Sequence, residues 1–433
     1  RSLLPSPSHP AVLLKTLSEA RPPDTAAPRA RSRLRVALAM LYWWLRRTVV
    51  TPVFNEIVIL LFRLRLLAKS GWRGVPTCVV INGGRIGPLV ERADGALRYK
   101  ARTGKDGETW YGIVQEICNP ALGRIIEGRL PLIVAPTAYR SLVGRRSRTG
   151  ANPSFVFERL FDQYPDLFEG TRATLELPSD FAEQAREALF RRYGLASGTR
   201  FIAFHARDEG YLTQQQPGQN WGYHSYRNSL IDTYFMAIEK VVAADLTALR
   251  IGAKSSQKVP ADWGPAIIDY ANDGADQMLD VLISACAEFA MIGGGSGIGH
   301  VAQAFGRPVI WTNFIPANPW PWCADDLFVP KLLRRRTTGR LLTFAELKEL
   351  GYFPPGAPLY TTAHFDDLGL DVVDNSPEDI AGAAEEMLAR LRGEPPIPEL
   401  AELQREFRQR YKPGRPNGGN ISANFLARHR DLL

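Results

Sequence analysis

The stretch GGGSGIGHVAQAFGRPVIW, residues 293–311, decides how this chain is read. It follows an apolar run, AEFAMI (287–292), that stops in glycines. It then passes through Ser296-Gly297 into a short amphipathic helix and emerges in a second apolar run, PVIW (308–311). A strand, a glycine turn, a helix and a strand make a βαβ unit, whose first turn lets backbone N–H groups meet an anion at a helix N-terminus. Three common glycine loops are excluded. A phosphate loop ending Gly-Lys-Ser/Thr needs a lysine, and none lies between 259 and 330. A dinucleotide fingerprint opening at Gly293 or Gly295 needs glycine at 298 or 300, where Ile298 and His300 stand. A nucleophile elbow around Ser296 fails at 298 too. What is left is Gly-Ser-Gly-x-x-His-x-Ala opening a helix. The bland alternative is a tight βα turn in which glycine serves close packing alone.

Working outward, strands and helices alternate on both sides of this unit. TCVVI (77–81) reads as a buried strand ended by NGGRIGPL (82–89), WYGIVQEIC (110–118) has helical spacing, and LPLIVAP (130–136) is a second strand. FAEQAREALFRRYGL (181–195) is an amphipathic helix that stops at Gly194. A second set starts after SGT (197–199). RFIAFHAR (200–207), LTALRIG (246–252) and AIIDYA (266–271) read as strands, and QMLDVLISAC (277–286) as a helix. Residues 228–246 predict a helix that opens on a Ser229-x-x-Asp232 capping box and buries Leu230, Tyr234, Ile238 and Val241. Alternation of this kind implies parallel sheets with helices on both faces. The expected fold is α/β, with two Rossmann-like halves facing across a cleft. Their expected bounds are 71–196 and 197–398, followed by a helical tail, 399–433. After Trp311 the loop TNFIPANPWPWCADDLFVPK is rich in proline and tryptophan and suits a lid or a substrate platform. The helix over 376–393 carries Ser376 as cap, Pro377 at its first position and acids in its first turn.

At 433 residues the chain is long enough for two or three domains, and its 45% hydrophobic content excludes a disordered protein. Cys78, Cys118, Cys286 and Cys323 form no C-x-x-C pair, so neither a disulfide scaffold nor a zinc site is expected, and a reducing cytoplasm fits. The net charge of +8 is uneven. Residues 1–75 hold 13 Arg/Lys against 3 Asp/Glu, whereas the remainder holds 40 against 42. A nucleic-acid protein spreads basic charge over its folded domains. Here the surplus sits in one arm, which points to an anionic membrane surface and away from nucleic acid. Residues 1–30 are rich in Pro, Ser and Ala and read as a disordered leader. Residues 31–70 form a basic amphipathic segment whose longest uncharged run, Val36–Leu45, is ten residues, too short to span a bilayer. Trp43 and Trp44 adjoin Arg46 and Arg47, the composition of an interfacial helix pair, with a break expected near Pro52.

Three more segments bear on the anion. His205-Ala206-Arg207-Asp208 ends a strand, and the carboxyl ends of parallel strands face the ligand crevice. A guanidinium there matches a phosphate bidentately. GYHSYRNSLID (222–232) sets Tyr223, His224, Tyr226, Arg227 and Asn228 before a helix, with Ser225 and Asn228 as candidate caps. Arg250-Ile251-Gly252-Ala253-Lys254 leaves another strand and offers Lys254 as a phosphate partner.

The Ser296-Gly297-x-x-His300-x-Ala302 segment resembles the donor-site motif of GT-B nucleotide-sugar glycosyltransferases, especially heptosyltransferases, and His205-x-Arg207 resembles that of fucosyltransferase-like GT-B enzymes. Segments 205–211, 223–232, 250–252 and 294–297, with Ile421–Leu426, are similar in order to a glycosyltransferase family associated with bacterial surface-carbohydrate clusters. The resemblance spans about residue 77 to 433. It implies a metal-independent hexosyl- or related transferase, without a cofactor, that moves a sugar from a nucleoside diphosphate to a surface-glycan or lipid-linked acceptor. It would work at the inner face of the cell membrane. The first half would hold the acceptor and the second the nucleotide sugar, and the tail would cross back to the first. The implied donor site is His205, Arg207, Arg250, Lys254, Gly294, Gly295, Ser296, Gly297 and His300. Arg207, Asp208 and His224 would be catalytic, and Gly84, Arg85, Gly87, Tyr223, Tyr226 and Arg227 would stand on the acceptor side. One departure is Pro88, where relatives carry histidine after Arg-Ile-Gly. Two other readings fit the same architecture: a sugar-nucleotide epimerase, and a non-catalytic glycan-binding subunit.

Overall fold

The computed structural model describes residues 38–149, 154–156, 160–164, 166–168, 173–210, 213, 218, 221–252, 255–274, 276–315, 321–353, 361–411 and 418–433. The expected leader, Lys254 and the centre of the proline- and tryptophan-rich loop (316–320) lie outside these residues.

Strands β1 (Cys78–Ile81), β2 (Tyr111–Val114), β3 (Leu132–Val134) and β4 (Phe155–Val156) form a parallel sheet in the order β3-β2-β1-β4. The second sheet contains β5 (Phe201–His205), β6 (Thr247–Arg250), β7 (Ile267–Ile268), β8 (Ala290–Gly293), β9 (Val309–Phe314), β10 (Leu327–Pro330) and an edge strand from the tail, Asn420–Ile421. Its order is tail strand-β10-β9-β8-β5-β6-β7, with every pair parallel. A short antiparallel pair, β11 (Leu332–Arg335) with β12 (Leu370–Val373), lies beside it. Strands such as β1, β8 and β9 are buried at every residue, as expected where helices cover both faces. This is the expected α/β, GT-B-like arrangement of two parallel units. In the second sheet the chain runs outward through β5, β6 and β7, then returns to the middle and runs the other way through β8, β9 and β10. The reversal between β5 and β8 opens a crevice at their carboxyl ends.

Several sequence expectations change. WYGIVQEIC is strand β2, not a helix, because Tyr111–Val114 are all buried between β1 and β3 and their N–H groups enter the ladder. AIIDYA contracts to β7, since Asp269 spends its carboxylate on the Val259 N–H and on Asn272 and turns the chain. The helix expected over 228–246 is a 3₁₀ turn, Ile231–Tyr234, followed by Phe235–Ala243. No capping box forms there. The Ile231 N–H donates to Gln257 Oε1 instead, and Leu230 is 61% exposed, whereas Tyr234, Ile238 and Val241 are buried.

The N-terminal segment is one helix, not two. Residues 38–45 continue through a π-helical turn, Arg46–Val50, into Thr51–Lys69, so Pro52 falls just after the looser turn, where its missing N–H is tolerated. Ile59, Phe62 and Leu66 face the helix Pro136–Thr149 and the first sheet. Among the described residues no helix is long and apolar enough to cross a membrane. The described residues of the tail pack on the second unit and do not cross back to the first. Leu403, Phe407, Phe425 and Leu426 join the second core, where Phe344 lies 5.1 Å from Phe407 and Phe353 lies 5.4 Å from Tyr411, ring centre to ring centre. The edge strand of the tail fastens it to β10.

The two units meet where the helix Ile86–Arg102 packs on Gly299–Ala304, with Leu89 and Ala93 in one core with Val301 and Ala304. At the crossing, a Cβ on Gly87 would stand 2.8 Å from the Gly297 Cα, and one on Gly297 would stand 2.7 Å from the Gly87 Cα. Neither backbone can retreat without shifting a helix. Gly87→Ala is therefore expected to lower stability by about 1–3 kcal/mol, the usual range for overpacking, as measured by urea denaturation. An unchanged midpoint would show that the contact yields freely.

Candidate functional site

The crevice at the β5/β8 reversal is built from a glycine turn and arginines. After β8, Gly294 (φ 58°) and Gly295 (φ 61°) take left-handed conformations that a side chain would strain. A Cβ on Gly294 would also collide with the Arg227 carbonyl oxygen and lie 2.9 Å from Arg207 Cδ. The turn holds itself through the Gly294 N–H to Thr312 O and the Ser296 N–H to Gly293 O. Among the described residues, the N–H groups of Gly295, Gly297 and Ile298 meet no acceptor.

Arg207 follows β5 and presses on this turn. Among the described residues its guanidinium has no hydrogen-bond or ion-pair partner, and its Nε is buried. Burial, reinforced by the charges of Arg227 and Arg85, pulls its pKa down to about 10. Arg227 donates from Nε to Gly294 O (2.9 Å) and from a terminal nitrogen to Gly295 O (2.8 Å). It thus clamps the turn and leaves the acceptor side, where sequence placed it. Arg85, exposed on the loop after β1, brings a third charge from the first unit to bear on Arg207, Arg227 and His224. His224 belongs to a 3₁₀ segment, Gly222–Arg227, and stacks on Tyr223 with ring centres 3.9 Å apart. Its buried Nδ1 has no partner among the described residues, and burial with the three arginines lowers its pKa to about 4. Tyr226 is buried against Phe365, whereas Tyr223 is 44% exposed and stacks on Trp221.

Other expected residues are spent on structure. Asp208 Oδ1 accepts from the Gly210 N–H, and Oδ2 from Ser255 Oγ and the Ser256 and Gln257 N–H groups. Burial pushes its pKa up, but these bonds outweigh it and the pKa ends below the ordinary value, so Asp208 is a poor proton acceptor. Arg250 is buried and donates to Gln257 O (2.7 Å) and Ser255 Oγ (2.5 Å), with Asp269 at 3.5 Å, so it anchors that loop and does not face the crevice. His205 Nδ1 sits 3.0 Å from Ile251 O, and burial lowers its pKa to about 4, which leaves the imidazole neutral. His300 stacks on Trp322 and pairs with Gln303. Ser225 bonds Gly222 O and Thr362, and Asn228 bonds Glu209, so neither caps a helix. Gly84 lets its loop pass close to the Glu116 side chain, and Gly87 packs against Gly297; only Arg85 of that trio projects a functional group.

Sequence reasoning missed two features. Glu116, exposed at the carboxyl end of β2, places its carboxylate against the loop that carries Arg85. The helical reading of 110–118 hid it, since a strand would have aimed residues 115–116 at the crevice. A cavity of about 500 Å³ opens beside the arginines, lined by Glu209, Tyr226, Asn228, Gln257, Lys331 and Asp374. Lys331 is buried and donates to Asn228 O (2.5 Å) and Asp374 Oδ1 (2.6 Å); its place just after β10 was the available signal. Among the described residues no three His, Cys, Asp or Glu side chains are grouped to hold a metal ion.

No protein-family model matches the chain, and no curated protein matches it in sequence. Among solved structures it is similar to the E. coli ADP-heptose lipopolysaccharide heptosyltransferase II, at 11% identity and a TM-score of 0.41, over 73% of this chain and 99% of that one. It is also similar to a family 9 glycosyl transferase from Veillonella parvula, at 13% identity and a TM-score of 0.42, over 73% and 97%. A third is an E. coli heptosyltransferase with ADP-2-deoxy-2-fluoro heptose, at 9% identity and a TM-score of 0.32, over 59% and 92%.

The two depressed histidines carry a pH signature. His205 and His224 both lie near 4 in the fold against 6.5 for the free imidazole, so the unfolded chain binds more protons between those values. Their contribution to stability is complete above about pH 6.5 and is lost as pH falls toward 4. Urea midpoints measured across this window should drop with pH, and His224→Gln should flatten the slope. A wild-type profile that stays level would contradict the assigned protonation.

Proposed function

We propose that the chain is a metal-independent GT-B glycosyltransferase that moves a sugar from a nucleoside-diphosphate sugar to a surface-glycan or lipid-linked acceptor at the inner face of the cell membrane. The carrying observation is Arg207, a half-buried cation whose buried Nε has no hydrogen-bond partner among the described residues, set against a turn with three N–H groups that meet no acceptor among them. An unpaired buried charge costs several kcal/mol, and an anionic ligand removes that penalty. A departing diphosphate gains negative charge as the bond between sugar carbon and phosphate oxygen breaks. Arg207, Arg85 and the amides of Gly295, Gly297 and Ile298 are preorganised for that charge, usually the largest contribution to catalysis. Arg227 holds the turn in shape and adds its field. The adjoining cavity, with the carboxylates of Glu209 and Asp374 at its wall, suits a nucleoside, whose ribose hydroxyls donate to carboxylates.

The acceptor hydroxyl needs a base on the opposite side of the crevice. Glu116 fits that role, because its carboxylate is exposed on the first unit beside Arg85. Asp208 does not, being fully engaged by Gly210 and residues 255–257. His224 is held neutral by burial and by the arginines, and a bound diphosphate that offsets the arginines' field raises its basicity.

Thermal shift against ADP, GDP and UDP tests the reading. One of them is expected to raise Tm, and Arg207→Ala is expected to abolish the shift and to cut transfer by about 10²–10³. Glu116→Gln should lower kcat and leave the nucleotide shift intact. The proposal fails if no nucleoside diphosphate stabilises the protein, or if Arg207→Ala is stabilised like the wild type. Sugar isomerisation without an acceptor would instead assign an epimerase.

A further inference from the structure

The helix ending at Lys69 has two apolar faces, and one is uncovered. Asn55, Ile59, Phe62 and Leu66 face inward. On the opposite side Val53, Phe54, Ile57, Leu60, Leu61 and Leu64 are each 45–60% exposed, a stripe that 3.6-residue spacing keeps continuous. Arg63 and Arg65 fall on its two flanks, and at its leading end Trp43 and Trp44 are 61% and 58% exposed. Glu56 is the one acidic residue between 38 and 75, and Arg145 neutralises it at 3.1 Å. Between this helix and Pro136–Thr149 lies a groove of about 670 Å³, with Arg46 on one lip, Arg140 on the other, and Asn55 and Ser141 buried beneath them. Neither Arg46 nor Arg140 has a carboxylate partner among the described residues.

We infer that this face docks on an anionic phospholipid bilayer, with the helix parallel to the membrane plane, its apolar stripe among the acyl chains and a lipid phosphate held in the groove between Arg46 and Arg140. An apolar stripe edged by arginines and led by tryptophans matches the layered polarity of a bilayer surface. A second copy of this face meets it poorly, because a two-fold pairing sets like charges together. The groove adjoins the carboxyl end of β3, two strand spacings, about 10 Å, from the strand that leads to Arg85. A docked chain therefore brings a lipid-borne acceptor to the crevice; only this last point rests on the transferase reading.

Flotation of the full chain with vesicles tests the inference, comparing phosphatidylcholine alone with phosphatidylcholine mixed with phosphatidylglycerol. Binding to the mixed vesicles is expected, with little to the neutral ones. Arg46→Glu with Arg140→Glu should weaken it by about tenfold or more. Ile57→Asp with Leu61→Asp should abolish it without lowering Tm, since both side chains are exposed. Failure of the wild type to float with anionic vesicles, or equal flotation of either double variant, overturns the inference. So does light scattering that shows a dimer broken by Ile57→Asp/Leu61→Asp with lipid binding unchanged, which would give the face to a second copy. Inorganic phosphate that competes fully with the mixed vesicles would make the groove a free-anion site and overturn the lipid assignment. The nucleotide thermal shift of both double variants stays at the wild-type value, so a failure here is separable from failure of the transferase reading.

Discussion

The structure is organised around an arginine that the described residues leave without a hydrogen-bond or ion-pair partner. Arg207 emerges at the point where the second sheet reverses, and among the described residues no carboxylate forms an ion pair with it, Asp208 and Asp269 being committed elsewhere. Asp208, its neighbour in sequence, is consumed by the loop 255–257, which Arg250 anchors through Ser255 and Gln257. Asp269 serves Val259, Asn272 and Arg250. Keeping the Arg207 guanidinium out of an ion pair with Asp208 requires this division of labour. An accidental surface arginine would have paired with the aspartate beside it.

The glycines answer to the same constraint. Gly294 can accept the side chain of Arg207 and the backbone of Arg227 only because it lacks a Cβ. Gly297 can meet Gly87 of the first unit for the same reason, and that contact brings the Arg85 loop to the crevice. One turn thus shapes the crevice and sets the distance between the two halves of the molecule. The shared core of the helices Ile86–Arg102 and Gly299–Ala304 makes this distance a property of packing as well as of the loop. The exposed helix on the far side of the first sheet belongs to a different problem, since its apolar stripe has no protein partner among the described residues.

Much of the fold was legible where local patterns are strong. Ser376, Pro377 and Asp379 cap their helix as their spacing demands, and Gly194 ends its helix in a left-handed conformation. The pattern failed where tertiary pairing overrides periodicity. Tyr111–Val114 has apolar residues at positions compatible with a helix or a strand, and the neighbouring β1 and β3 settle the matter. The tail looked like a helix free to cross domains, but Phe407 and Tyr411 find an aromatic cluster in their own unit.

For the site, sequence alone determined which chemistry was present: a glycine turn ahead of a helix, and an arginine at a strand end. Those follow from local stereochemistry, which a short window contains. Tertiary structure decided which charges remain free. Arg207 and Arg250 are equivalent as strand-end arginines in the sequence, yet one is left without a partner among the described residues and the other is buried in an anchoring network. Arg227 and Asp208 changed roles because hydrogen-bond partners 47 to 68 residues away decide whether a charge is spent or available. Such partners meet only when strands align and helices pack, and no local pattern records that.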